Sequence, residues 1–109
     1  MTIEKDIEQK LIKLAEKYGG RCLKWTCPGW NGVPDRVCLF PGGHVVFVEL
    51  KRPKGGRVTP LQKWWADEIT RLGFLHLFVH DEETMKTMEY FLKVWKVPLL
   101  QSCCAEHHK

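Results

Sequence analysis

Three residues in the first half of the chain have the types and spacing for metal-assisted phosphoryl chemistry: Asp35, Glu49 and Lys51. Glu49 and Lys51 end the apolar run HVVFVELK, residues 44–51. Side chains alternate along a strand, so Val45, Phe47, Glu49 and Lys51 share one face, and Val46, Val48 and Leu50 share the other. A charge buried in such a strand is unfavourable unless something balances it. Asp35 is the candidate companion. It follows Pro34 at the start of a second apolar run, and Pro41-Gly42-Gly43 between the runs reads as a turn. Asp35 and Glu49 each lie seven residues from Gly42, so a hairpin sets them opposite one another, with side chains about 4.5–5.5 Å apart. Two carboxylates so placed can share a hard cation, Mg2+ or Mn2+. Such an ion lowers the pKa of a bound water and offsets charge on a phosphoryl group. Lys51 can hold the attacking water or neutralise the phosphate. Glu4 or Glu8, one helical turn apart, can supply a third carboxylate. A Glu-x-Lys pair alone is common at strand ends as an ordinary ion pair. The Pro-Asp step opposite it gives the set its weight.

Other candidates have competing structural roles. Gln62 lies three residues after Thr59, the spacing of a helix capping box. At least one of Trp64 and Trp65 is expected in the core. Trp30, beside Asn31-Gly32, is expected to be exposed and is a candidate nucleic-acid contact. Arg52, Lys54 and Arg57 lie in a glycine-containing loop and suit phosphate contacts. Cys103, Cys104, His107 and His108 invite a zinc assignment, but adjacent cysteines do not match the usual ligand spacing. These residues fit a polar tail better. Five cysteines without a leading signal peptide fit reduced thiols in the cytoplasm.

The elements that must position these groups follow from periodicity. Ile3, Ile7, Leu11, Leu14 and Tyr18 mark one face of a first helix, with Thr2 as its cap and Gly19-Gly20 as its stop. Residues 22–26 read as a short strand, 27–34 as a loop, 35–40 and 44–51 as a hairpin. Thr59-Pro60 opens a second helix, with Leu61, Trp64, Trp65, Glu68 and Leu72 expected on its inner side and shoulder. Residues 74–80 form a fourth strand. Asp81 caps a third helix with an apolar face of Met85, Met88, Phe91, Leu92 and Trp95. The order is α-β-β-β-α-β-α. A helical crossover makes the fourth strand parallel to one already in the sheet. The expected fold is α/β, a mixed central sheet flanked by helices, over residues 1–97, with 98–109 as a flexible tail.

The chain has 109 residues, 44% of them hydrophobic, and a formal net charge of +4. It can bury one core of ordinary domain size. No apolar run approaches the roughly 18 residues of a membrane span. The basic balance fits a polyanionic partner without proving one.

Taken together, GVPD at 32–35, VELK at 48–51 and TPLQ at 59–62 resemble the VRR-NUC domain, a branch of the PD-(D/E)XK nuclease superfamily. IEKDIEQKL at 3–11 is similar to that family's glutamate-bearing first helix. The resemblance runs from about residue 3 to residue 83. It implies a restriction-endonuclease-like core and Mg2+- or Mn2+-dependent phosphodiester cleavage. It implies metal binding by Asp35 and Glu49 and catalysis by Lys51, with Gln62 in the active site. It favours Glu4 over Glu8 as the helix-one ligand, and the Leu50 carbonyl as a further one. Single-domain members resemble phage and bacterial stand-alone nucleases, similar in design to Holliday-junction resolvases. By that likeness the expected substrate is branched DNA, such as a junction or flap, and the expected assembly a homodimer in the cytoplasm of a bacterium or phage-infected cell. The alternative is a DNA-binding module that keeps the fold without catalysis. Its mark would be a lost carboxylate or lysine, and neither is missing. A scaffold role would use Phe91, Leu92 and Trp95 as its contact surface.

Overall fold

The computed structural model describes residues 4–52 and 56–100. Its elements are α1 (Glu4–Lys17), β1 (Arg21–Lys24), β2 (Arg36–Phe40), β3 (His44–Leu50), α2 (Pro60–Arg71), β4 (Leu75–Val79) and α3 (Glu82–Val94). This is the α-β-β-β-α-β-α order expected from periodicity. The strands lie in the order β1-β2-β3-β4. β1 and β3 are antiparallel to β2, and β4, reached through α2, is parallel to β3.

The hairpin register carries the site. Phe40 pairs with His44 across the turn, and Arg36 with Val48. Gly42 and Gly43 have φ of 89° and 80°, left-handed conformations that side chains resist. One step beyond Arg36 and Val48, the same register brings Asp35 to Glu49. β2 begins one residue after Asp35, and β3 ends one residue before Lys51. Pairing still reaches Lys51, whose N–H donates to the Val79 carbonyl at 2.9 Å. β1 spans Arg21–Lys24 rather than 22–26, and its pairing runs one step further, with Trp25 N–H on the Asp35 carbonyl at 2.8 Å.

The two faces of β3 do different work. Val46, Val48 and Leu50 are buried with Ile7, Leu11 and Ala15 of α1 and Met85, Met88 and Leu92 of α3. Each of these side chains larger than alanine contributes roughly 1.5–3 kcal/mol on burial. Tyr18 joins this core, and its hydroxyl donates to Glu89 of α3 at 2.7 Å. Burial and the Glu89 carboxylate push that phenol up to about 12. The opposite face carries Phe47, which meets Trp25 and Phe74, then Glu49, and is served by α2.

Helix ends follow the expected signals where they can be seen. Thr59 and Asp81 cap α2 and α3 through complete capping boxes. Thr2 lies outside the described residues. α1 closes with Gly19 at φ 74°, Gly19 N–H on the Glu16 carbonyl and Gly20 N–H on that of Ala15, a Schellman ending. α3 closes in the same pattern with Lys96, at φ 60°, in place of a glycine.

The inner face of α2 differs from the expectation. Ala66 and Ile69 are buried, while Leu61, Trp64 and Leu72 are 44%, 50% and 56% exposed. Gln62, Ala66 and Ile69 sit at helical spacing on one stripe, and small Ala66 lets the helix lie close to the sheet. The bulkier residues are turned outward beside it. Cys22, Cys27 and Cys38 are free thiols. Val97 is buried, and Leu100 N–H donates to the Lys17 carbonyl at 2.8 Å. Cys103, Cys104, His107 and His108 lie outside the described residues. Among the described residues no helix is long and apolar enough to cross a membrane.

Candidate active site

Glu49 is the one buried charged residue among those described, 3% exposed. Its Oε2 accepts a hydrogen bond from Gln62 Nε2 at 2.9 Å and lies 3.5 Å from Lys51 Nζ. Its Oε1 is buried and has no hydrogen-bond partner. Burial first, then the negative charge of Asp35, pushes the carboxyl up to about 7, and Lys51 partly offsets the rise. Asp35 is fixed by its neighbour strand, with Oδ2 accepting from Leu50 N–H at 2.9 Å. The hairpin thus gathers both carboxylates on the face expected from alternation.

Gln62 forms the expected capping box and also reaches Glu49 and Lys51. Its backbone N–H donates to Thr59 Oγ1 at 3.1 Å, and its Oε1 accepts from Thr59 N–H at 3.0 Å. That same Oε1 accepts from Lys51 Nζ at 2.6 Å. The helix cap and the carboxylate–ammonium pair are therefore held by one amide.

Asp35, Glu49, Leu50, Lys51, Arg52, Gly56 and Arg57 line a polar cleft of about 290 Å3. Gly56, which spacing did not single out, lies tight against Arg52 and Lys51. A Cβ there would come within 2.9 Å of the Arg52 carbonyl and 3.1 Å of Lys51 Cβ. The Gly-Gly step at 55–56 was the available signal. Lys54 lies outside the described residues.

The third carboxylate has a divided outcome. Glu4 begins α1, but its side chain lies outside the described residues. Glu8 is engaged elsewhere. Arg36 donates to its Oε2 from Nε at 3.0 Å and from Nη2 at 2.7 Å. Arg36 alternates with Asp35 and points to the α1 side of the sheet, so Glu8 is drawn away from the cleft. Among the described residues, no third His, Cys, Asp or Glu joins Asp35 and Glu49. Trp30 is 60% exposed, as expected, and packs edge-on to Trp65 rather than lining the cleft.

Comparison with a solved structure decides the architecture. A chain described as a VRR_NUC domain superposes with a TM-score of 0.75, at 24% identity, over 84% of this chain and 99% of that one. The fold is that of a VRR-NUC domain. A phage protein named "Putative nuclease p44", from Acyrthosiphon pisum secondary endosymbiont phage 1, is 44% identical over 59 residues. That match covers 54% of this chain and 62% of the phage protein. No family model matches the chain.

The donor set of the cleft fits a hard divalent cation. Two carboxylates face each other, and one buried carboxylate oxygen lacks a partner. Oxygen-only donors of this kind suit magnesium or manganese better than zinc.

Proposed function

We propose that this chain is a metal-dependent DNA endonuclease that hydrolyses phosphodiester bonds at the Asp35–Glu49–Lys51 cleft. The observation that carries it is Glu49. A buried carboxylate with one unpartnered oxygen, set against a second carboxylate and only partly offset by Lys51, destabilises the fold and favours a bound cation there. Asp35, Glu49 and the Leu50 carbonyl would hold Mg2+ or Mn2+, with Glu4 as the helix-one ligand. When bound, the ion supplies an acidified water and charge neutralisation at the phosphate.

The protein's own groups supply the rest. Lys51, steered by Gln62, presents an ammonium at the carboxylate pair, where it can orient the water or stabilise a phosphate oxygen. Arg52 and Arg57, on the cleft wall, can hold flanking phosphates. The VRR_NUC fold and the nuclease name of the phage relative agree with this function. Structure-selective action on branched DNA and a homodimeric assembly, with two cleavage sites on a two-fold axis, complete the proposal. Their support is the resemblance of the GVPD, VELK and TPLQ motifs to those of single-domain VRR-NUC proteins.

The test is a panel of linear, flapped and four-way DNA with EDTA, Mg2+ or Mn2+. Branched DNA should be cut only with metal. Lys51→Ala and Glu49→Ala should each abolish cutting while DNA binding persists, and light scattering should give twice the chain mass. Normal cutting by both variants would overturn the assignment.

A further inference from the structure

A second concavity lies beside the cleft and takes no part in holding the carboxylates. It encloses about 320 Å3 between the loop 27–34 and the first turns of α2, lined by Gly29, Trp30, Asn31, Leu61, Trp64 and Trp65. Trp30, Trp64 and Leu61 are 60%, 50% and 44% exposed, so three large apolar side chains face solvent together in one groove. The groove is built by specific contacts. Trp65 Nε1 donates to the Asn31 carbonyl at 2.9 Å, and Trp30 N–H closes a turn on the Cys27 carbonyl at 3.1 Å. Gly32, at φ 82°, lies so close to Leu61 that a Cβ would fall 2.6 Å from Leu61 Cγ. Trp30 and Trp64 stand nearly perpendicular to Trp65, at 83° and 86°. The three rings are thereby locked together with two of them open to solvent.

Both walls of the groove continue into the active site. The loop runs through Pro34 into Asp35, and Leu61 directly precedes Gln62, which grips Lys51 and Glu49. The groove therefore adjoins the cleft at both walls, and a DNA strand held at the cleft is the ligand it would meet. We propose that the groove receives an unpaired nucleobase of that DNA strand. Exposed indole rings bind the face of any base by stacking, without reading its edge. A base inside a duplex cannot offer its face, so only an unpaired or extruded nucleotide can enter. The preferred substrate class is therefore DNA with unpaired nucleotides beside the cleaved bond. This inference rests on DNA being the substrate, as proposed above.

The test measures binding by fluorescence anisotropy in EDTA, on duplexes of one length with or without a short unpaired stretch. Wild type should bind the unpaired form about tenfold more tightly, the range of one or two stacked bases. Trp30→Ala and Trp64→Ala should each erase that preference and bind the paired duplex as wild type does. Trp64→Phe should keep most of it. Both side chains are half exposed or more, and a thermal melt confirms that the variants fold. Equal binding of both DNAs by wild type, or an undiminished preference in both alanine variants, overturns the proposal. So does a change from dimer to monomer in those variants with the preference intact, since a second copy then fills the groove. Cleavage on the same DNAs separates the two ideas. No cutting with either metal, alongside a tryptophan-dependent preference, refutes the nuclease and keeps the groove. Lys51-dependent cutting without that preference does the reverse.

Discussion

Replacing Glu49 by Gln should make the metal-free protein more stable at pH 8 while abolishing cleavage. The carboxyl rises from its ordinary value of 4.5 to about 7 on folding. The folded state therefore keeps a proton that the unfolded state releases between those values. Stability is lost as pH rises through that window, and the loss is complete above about 7. A rise of this size corresponds to roughly 3 kcal/mol at pH 8, at 1.36 kcal/mol per unit. At pH 5 the same linkage leaves only about 1 kcal/mol. Glu49 is nearly inaccessible to solvent, so screening relieves little of this. The glutamine side chain of the variant keeps an acceptor for Gln62 Nε2, offers Asp35 a donor and carries no charge to bury.

The assay is urea unfolding in EDTA of wild type and Glu49→Gln at pH 5 and pH 8. Taking the difference between the two proteins at each pH cancels most other titrations. That difference should grow in favour of the variant by roughly 2–3 kcal/mol between the two pH values. Adding Mg2+ at pH 8 should stabilise wild type alone, by about 2.7 kcal/mol at a hundredfold excess over its dissociation constant. A variant destabilised equally at both pH values would refute the reasoning, because Glu49 would then be a favourable structural group.

Three further outcomes follow from the geometry. Gln62→Ala removes the amide that steers Lys51 and should lower kcat by roughly 10- to 100-fold, with KM for DNA little changed; single-turnover kinetics check this. Glu8→Ala should keep metal-dependent cleavage, since Glu8 is held by Arg36 on the α1 side of the sheet, and should lower stability by about 1–2 kcal/mol in urea unfolding. Lys96→Gly relieves a left-handed residue at φ 60° and should raise stability by about 0.5–1 kcal/mol, read from the same unfolding curves.

The hairpin was legible because its turn glycines, its alternation and its Pro-Asp start all specify one register. Arg36 opposite Val48 confirms it, and Asp35 and Glu49 follow. Helix caps were legible for a similar reason, since Thr59 with Gln62 and Asp81 with Thr84 satisfy local donors without help from the rest of the fold. Glu8 was not. It borders the apolar stripe of α1 as Glu4 does, and only the tertiary position of Arg36, on the far side of the strand from Asp35, assigns it to an ion pair. Periodicity places a carboxylate on a helix face but cannot say which cation meets it.

The misassigned face of α2 has a physical cause that bears on function. Apolar periodicity marks Leu61, Trp64 and Leu72 as core, because burying large apolar surface is the usual reason for such a stripe. Here the inward stripe is half-buried Gln62 with buried Ala66 and Ile69, and sequence patterning undervalues a polar and a small residue. Ala66 lets the helix approach closely enough for Gln62 to bond both Glu49 and Lys51. Turning Gln62 inward forces the adjacent Leu61 and the aromatic pair at 64–65 toward the loop 27–34. Orienting Gln62 toward the carboxylates thus fixes the tryptophan groove beside them. Any change that rotates α2 to bury Trp64 would also withdraw Gln62 from Lys51. The cleft and the groove should therefore fail together under mutations that repack α2, and separately under mutations at their own surfaces.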